Sequence, residues 1–126
     1  MSKPFASGGP GEGMAFEPEP EVPPEEVDTH VDETIEDNEV VLFMKGTELM
    51  PQCGYSRKAL ALIQRHREDV TTVDVLPALD AYRAALERHS GRETIPQTFV
   101  DGEFVGGSDI LEQYQERGDL GEKLNA

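Results

Sequence analysis

Cys53 is the only cysteine in a chain of 126 residues. It stands in Met50-Pro51-Gln52-Cys53-Gly54-Tyr55-Ser56-Arg57-Lys58, where apolar residues begin to recur at helical spacing. A thiol at a helix start faces unpaired N–H groups and the positive end of the helix dipole, which favour the thiolate. The thiolate is both a nucleophile and a metal ligand. Lys45, Arg57 and Lys58 add cations around it in an otherwise acidic molecule. A cysteine that merely fills a core has apolar neighbours, whereas Gln52, Gly54 and Ser56 are polar or small.

Ser56 occupies the place where a dithiol redox motif carries its second cysteine. It can donate a hydrogen bond to the thiolate, but it cannot close a disulfide. Oxidised Cys53 must therefore be resolved by a thiol from another molecule. Other chemistries find less support. His30, His66 and His89 show no zinc-ligand spacing toward Cys53. No phosphate-binding loop, Ser-His-Asp arrangement or paired-carboxylate pattern stands out.

The 26 Asp and Glu against 11 Lys and Arg leave a net charge of −15, which argues against binding nucleic acid phosphates. No apolar run approaches the roughly 18 residues of a membrane span. The N-terminus has neither the cationic-then-apolar order of a secretory signal nor the Arg-rich character of a transit peptide. A lone free cysteine suits a reducing compartment, and a cytoplasmic protein is expected.

Residues 1–24, rich in Gly, Pro and Glu, predict a disordered acidic tail, with one domain over residues 25–126. Pro23-Pro24-Glu25-Glu26 opens a helix whose stripe is Val27, Val31 and Ile35. Glu39 to Met44 reads as a strand buried on both faces. A helix follows from Cys53, then a β-branched strand over Val70 to Leu76. Pro77 opens another helix, stopped by Gly91. Thr98–Val100 and Glu103–Val105 flank Asp101-Gly102, a tight hairpin turn signal. Ser108 or Asp109 is expected to cap a further helix ending at Gly118, with a short last segment carrying Leu120 and Leu124. Strands joined through a helix run parallel and the hairpin antiparallel. The fold class is thus α/β: a four-stranded mixed sheet flanked by helices, which is a thioredoxin-like architecture.

The segments VVLFMKGT, PQCGYS and TIPQTFVDGEFVGGSDI, in this order, resemble the monothiol glutaredoxins, whose active site reads Cys-Gly-Phe-Ser. Seven residues separate Lys45 from Cys53, as in that family and more than in dithiol relatives. The resemblance spans about residues 25–126. It implies that Cys53 is the active cysteine and cluster ligand. It implies that Lys45 and Arg83 hold the glycyl carboxylate of glutathione, with Gln52 adding a polar contact. Thr94, Ile95 and Pro96 would pair with the cysteinyl part of the tripeptide, with a cis bond before Pro96. Gly107, Ser108 and Asp109 would receive its γ-glutamyl end.

The family binds a [2Fe–2S] cluster between two protomers and passes it to recipient apoproteins, often with BolA-like partners. Such a cluster takes four thiolates, so two chains with one cysteine each need two small thiols, glutathione or a relative. An oxidoreductase acting on glutathione mixed disulfides through Cys53, and a non-catalytic adaptor, are the alternatives. Two departures from the family pattern stand out: Tyr55 replaces phenylalanine, and Arg92-Glu93 stands in place of Trp-Pro.

Overall fold

A computed structural model describes residues 21–126; the expected disordered tail falls, for residues 1–20, outside the described residues. Pro23 begins a 3₁₀ turn over Pro24–Glu26, with the Glu26 N–H donating to the Pro23 carbonyl at 2.9 Å. This turn leads into α1 (Val27–Asp37), and Val22 packs beside it against the core. The order continues as β1 (Val40–Met44), α2 (Gly54–Gln64), β2 (Thr71–Asp74), α3 (Leu79–Ser90), β3 (Gln97–Val100), β4 (Glu103–Gly106), α4 (Ser108–Arg117) and α5 (Leu120–Lys123).

The four strands form one mixed sheet in the order β2-β1-β3-β4. β1 pairs parallel with β2 and antiparallel with β3, with Phe43 opposite Val73 and Gln97. All five β1 residues are buried, as a strand covered on both faces requires. Alternation sends Val41 and Phe43 to one side, against Val27, Val31, Tyr82 and Leu86. Leu42 and Met44 face the other side, against Leu60, Ile63, Leu111 and Leu124. The β3–β4 turn has positive φ at both Asp101 (52°) and Gly102 (83°), the conformation a primed two-residue turn needs.

Several strand ends shift by one residue from the sequence expectation, with β3 beginning at Gln97 and β4 ending at Gly106, and two boundaries differ for a visible reason. β2 stops at Asp74 rather than running to Leu76, because Asp74 Oδ1 accepts from both the Gly46 N–H (2.9 Å) and the Leu76 N–H (3.0 Å). That carboxylate bends the chain into a 3₁₀ turn at Leu76–Ala78. At α4 the cap is Gly107, not Ser108 or Asp109, and no side chain closes it. The C-terminus is part of the core: Leu120 and Leu124 are fully buried, and Arg67 Nη1 donates to the Leu124 carbonyl at 2.7 Å.

Candidate functional site

The sheet topology gathers the candidate residues at one edge. β1 and β2 both end there, β3 begins there, and β4 returns there, since Thr98 pairs with Gly106. The segments 45–53, 94–96 and 107–109, together with the start of α3, therefore crown the carboxyl end of the parallel pair. That is where ligands bind in open α/β sheets.

Cys53 is the N-cap of α2, extended (φ −147°, ψ 135°) and half-buried, so its thiol meets the first turn of N–H groups while staying reachable. Burial pushes the thiol pKa up. The backbone N–H groups of Ser56 and Tyr55, the Ser56 hydroxyl and the charge of Lys45 together outweigh it, so the net direction is down from the ordinary 9.0. Ser56 is fully buried and works twice. Its Oγ accepts the Lys45 backbone N–H at 3.0 Å, while its hydroxyl serves the thiolate.

Ser56→Ala is thus expected to raise the thiol pKa and to cost about 1–3 kcal/mol, because the Lys45 N–H loses its acceptor. The pH profile of Cys53 alkylation by iodoacetamide, taken with urea unfolding, checks both effects. Wild type should reach half-maximal rate below pH 9.0, and the variant should move upward.

The loop before Cys53 is closed by its own backbone. The Gln52 N–H donates to the Lys45 carbonyl at 2.9 Å, and Gly46 and Pro51 form an isolated bridge. This places Gln52, exposed, and Lys45, half-buried, beside Cys53. Arg83 lies in the second turn of α3 and is half-buried. Among the described residues neither Lys45 nor Arg83 belongs to an ion pair. Residues 45–67 hold five bases and one acid in a chain of net charge −15, so the cysteine face is locally cationic.

The Ile95-Pro96 peptide is cis, Pro96 is buried, and Thr94 is exposed. A Cβ at Gly107 would lie 3.1 Å from the Pro96 carbonyl oxygen, so segments 94–96 and 107–109 lie against one another. Ser108 is buried and Asp109 exposed, with Asp109 Oδ1 accepting the Ile110 N–H at 2.9 Å. Two further side chains hold these segments without any local sequence signal. Asp74 fixes Gly46, and Gln97 reaches the carbonyls of Arg92 and Thr94. A cleft of about 370 Å³ between the hairpin and α4–α5, lined by Phe104, Tyr114 and Lys123, includes none of the candidate residues.

Residues 40–105 match the Glutaredoxin family model, more than half of the chain. A monothiol glutaredoxin of Synechocystis sp. is 40% identical over 99 residues, covering 79% of this chain and 92% of that protein. The chain belongs to the monothiol glutaredoxins. The solution structure of reduced poplar apo GrxS14, 34% identical, superposes with a TM-score of 0.69 over 79% of this chain and 90% of that one. A buckwheat glutaredoxin–glutathione complex, 24% identical, shares the fold with a TM-score of 0.69, covering 81% and 90% of the two chains. Other monothiol glutaredoxins similar to this chain carry chloroplastic or mitochondrial names. No helix among the described residues is long and apolar enough to cross a membrane. The glutaredoxin fold expected from the sequence is thus the fold observed, and Tyr55 is 69% exposed beside Cys53.

Proposed function

We propose that this monothiol glutaredoxin carries a [2Fe–2S] cluster and delivers it to recipient apoproteins. The supporting observation is the single reachable thiolate of Cys53, stabilised at a helix start by Ser56 and Lys45, with Ser56 in place of a second thiol. One ligand per chain makes a cluster bridge two protomers, with two small thiols completing the set of four. Exchangeable ligands at an open edge suit a cargo that must leave.

Glutathione or a related low-molecular-weight thiol fits the surrounding groups. The free cations Lys45 and Arg83 would take one carboxylate, with Gln52 beside them. Ile95 would offer its backbone to the cysteinyl unit between Thr94 and Pro96. The helix start at Gly107 and Ser108 would receive the γ-glutamyl carboxylate, and the Asp109 carboxylate would meet its ammonium. Leu49, Met50 and Tyr55 expose 92%, 67% and 69% of their surface near Cys53. They offer an apolar landing face to the second protomer, a BolA-like partner or a recipient. The proposed compartment is the cytoplasm, where Cys53 stays reduced.

The test is anaerobic reconstitution with iron, sulfide and glutathione. A coloured product that passes its cluster to an apoferredoxin supports the carrier, and a colourless product refutes it. Lys45→Ala should weaken glutathione binding by about 1–2 kcal/mol, the scale of one charge-assisted hydrogen bond. Calorimetry on the reduced protein reads this directly.

The lowered thiol pKa also favours a second reading, reduction of glutathione mixed disulfides. The Cys53 thiolate attacks the glutathione sulfur, the S–S bond breaks, and the target protein leaves as a thiolate. A second glutathione thiolate then attacks the Cys53–glutathione disulfide, giving glutathione disulfide and restoring Cys53. Steady turnover of a glutathionylated peptide by a protein that fails to hold a cluster would favour this reading.

A further inference from the structure

Gln97 sits at the first position of β3 with only 1% of its surface exposed. Its Nε2 donates to the Arg92 carbonyl at 2.8 Å and to the Thr94 carbonyl at 3.0 Å. Its Oε1 is buried and has no partner among the described residues. A flipped amide would set that oxygen against two carbonyls, so hydrogen bonding fixes its orientation. An apolar side chain of similar size would fill the same place and leave no orphaned acceptor. A buried amide that leaves its own oxygen unpaired to hold two loop carbonyls is placed for the loop rather than for the core.

Ser90, the last residue of α3, fastens the same loop from the other side. Its Oγ accepts the Arg92 N–H at 3.1 Å, and its proton has the Leu86 and Arg92 carbonyls within reach at 3.0 and 3.2 Å. Both polar backbone groups of Arg92 are thereby held. Beyond the clamp, the N–H and carbonyl of Ile95 bond to no other backbone group among the described residues. The loop carbonyls are drawn inward, and the Ile95 backbone is left for an extended ligand.

We propose that Ser90 and Gln97 form a polar clamp that presets the 92–96 loop for the small thiol, with Gln97 as a positioning residue for thiol binding. This rests on the reading that the thiol lies along Ile95.

The experiment is calorimetric titration of reduced wild type, Gln97→Met and Ser90→Ala with glutathione. Circular dichroism follows folding, and Cys53 alkylation is measured against pH. Gln97→Met, of similar length and without donors, should bind glutathione about tenfold more weakly, the scale of the lost hydrogen bonds. Ser90→Ala should bind about threefold more weakly. The alkylation profile should stay at the wild-type pH, because no group that stabilises the Cys53 thiolate comes from this loop. Wild-type affinity in folded Gln97→Met would overturn the clamp, as would a loss of affinity accompanied by a shifted alkylation profile. If Gln97→Met does not fold, Ser90→Ala decides alone, and unchanged affinity there overturns the clamp. A wild-type protein that binds no glutathione would remove the thiol-site reading itself, and the clamp with it.

Discussion

Cys53→Ser should leave a protein that folds normally and stays colourless after anaerobic reconstitution with iron, sulfide and glutathione. The hydroxyl is close to the thiol in size, and the site is half-exposed. Stability should therefore change by no more than about 1 kcal/mol. The visible absorbance should vanish, because no other cysteine exists in the chain to take over ligation. Among the described residues no group of three or more His, Cys, Asp or Glu could hold a metal ion either. Ultraviolet–visible spectra and urea unfolding of the same preparation check both halves. A variant that kept its colour would remove Cys53 as the ligand.

Gly46→Ala should show the opposite pattern, a large loss of stability from a residue with no chemistry of its own. Gly46 has φ +95°, in the region that L side chains rarely enter. A Cβ there would lie 2.5 Å from both the Gln52 nitrogen and the Met50 carbonyl oxygen. Those are backbone atoms of a closed loop and cannot turn aside. Strain and crowding together should cost about 2–4 kcal/mol. The Gln52–Lys45 hydrogen bond should suffer with them, moving Lys45 away from Cys53 and raising the thiol pKa. Gly54→Ala, eight positions further on at the start of α2, is the control. It has nothing within 4 Å of the added methyl, and it should change stability by less than about 1 kcal/mol. Urea midpoints of the two variants, with the alkylation profile of the first, test the assignment.

These two glycines also mark how far the sequence could be read. The outline was legible because it rests on local patterns. The four-residue stripe of Val27, Val31 and Ile35, the continuous run of Val40–Met44 and the Asp101-Gly102 turn each announce their element. Cys53 at the start of α2 was legible for the same reason, and so was the role of Ser56 as a hydrogen-bond donor to the thiolate. What escaped depends on contacts between residues far apart in the chain. Asp74 meets Gly46 across 28 positions, and Ser56 supports the Lys45 backbone as well as the thiolate. Arg67 fastens Leu124 across 57 positions. Gln97, just before the strand expected from Thr98, carries no signal of its own, yet its amide bonds back to Arg92 and Thr94. At α4, Ser108 and Asp109 are both good capping residues by type. The structure instead starts α4 at Ser108, with Gly107 as the cap lying against the Pro96 carbonyl.

The central claim is that one thiolate per chain obliges the cluster to be shared. Native mass spectrometry of the reconstituted protein reads the stoichiometry in a single spectrum. The expected species contains two chains, one [2Fe–2S] unit and two glutathione molecules. A single chain holding a cluster, or a two-chain species holding one without any small thiol, would contradict the account.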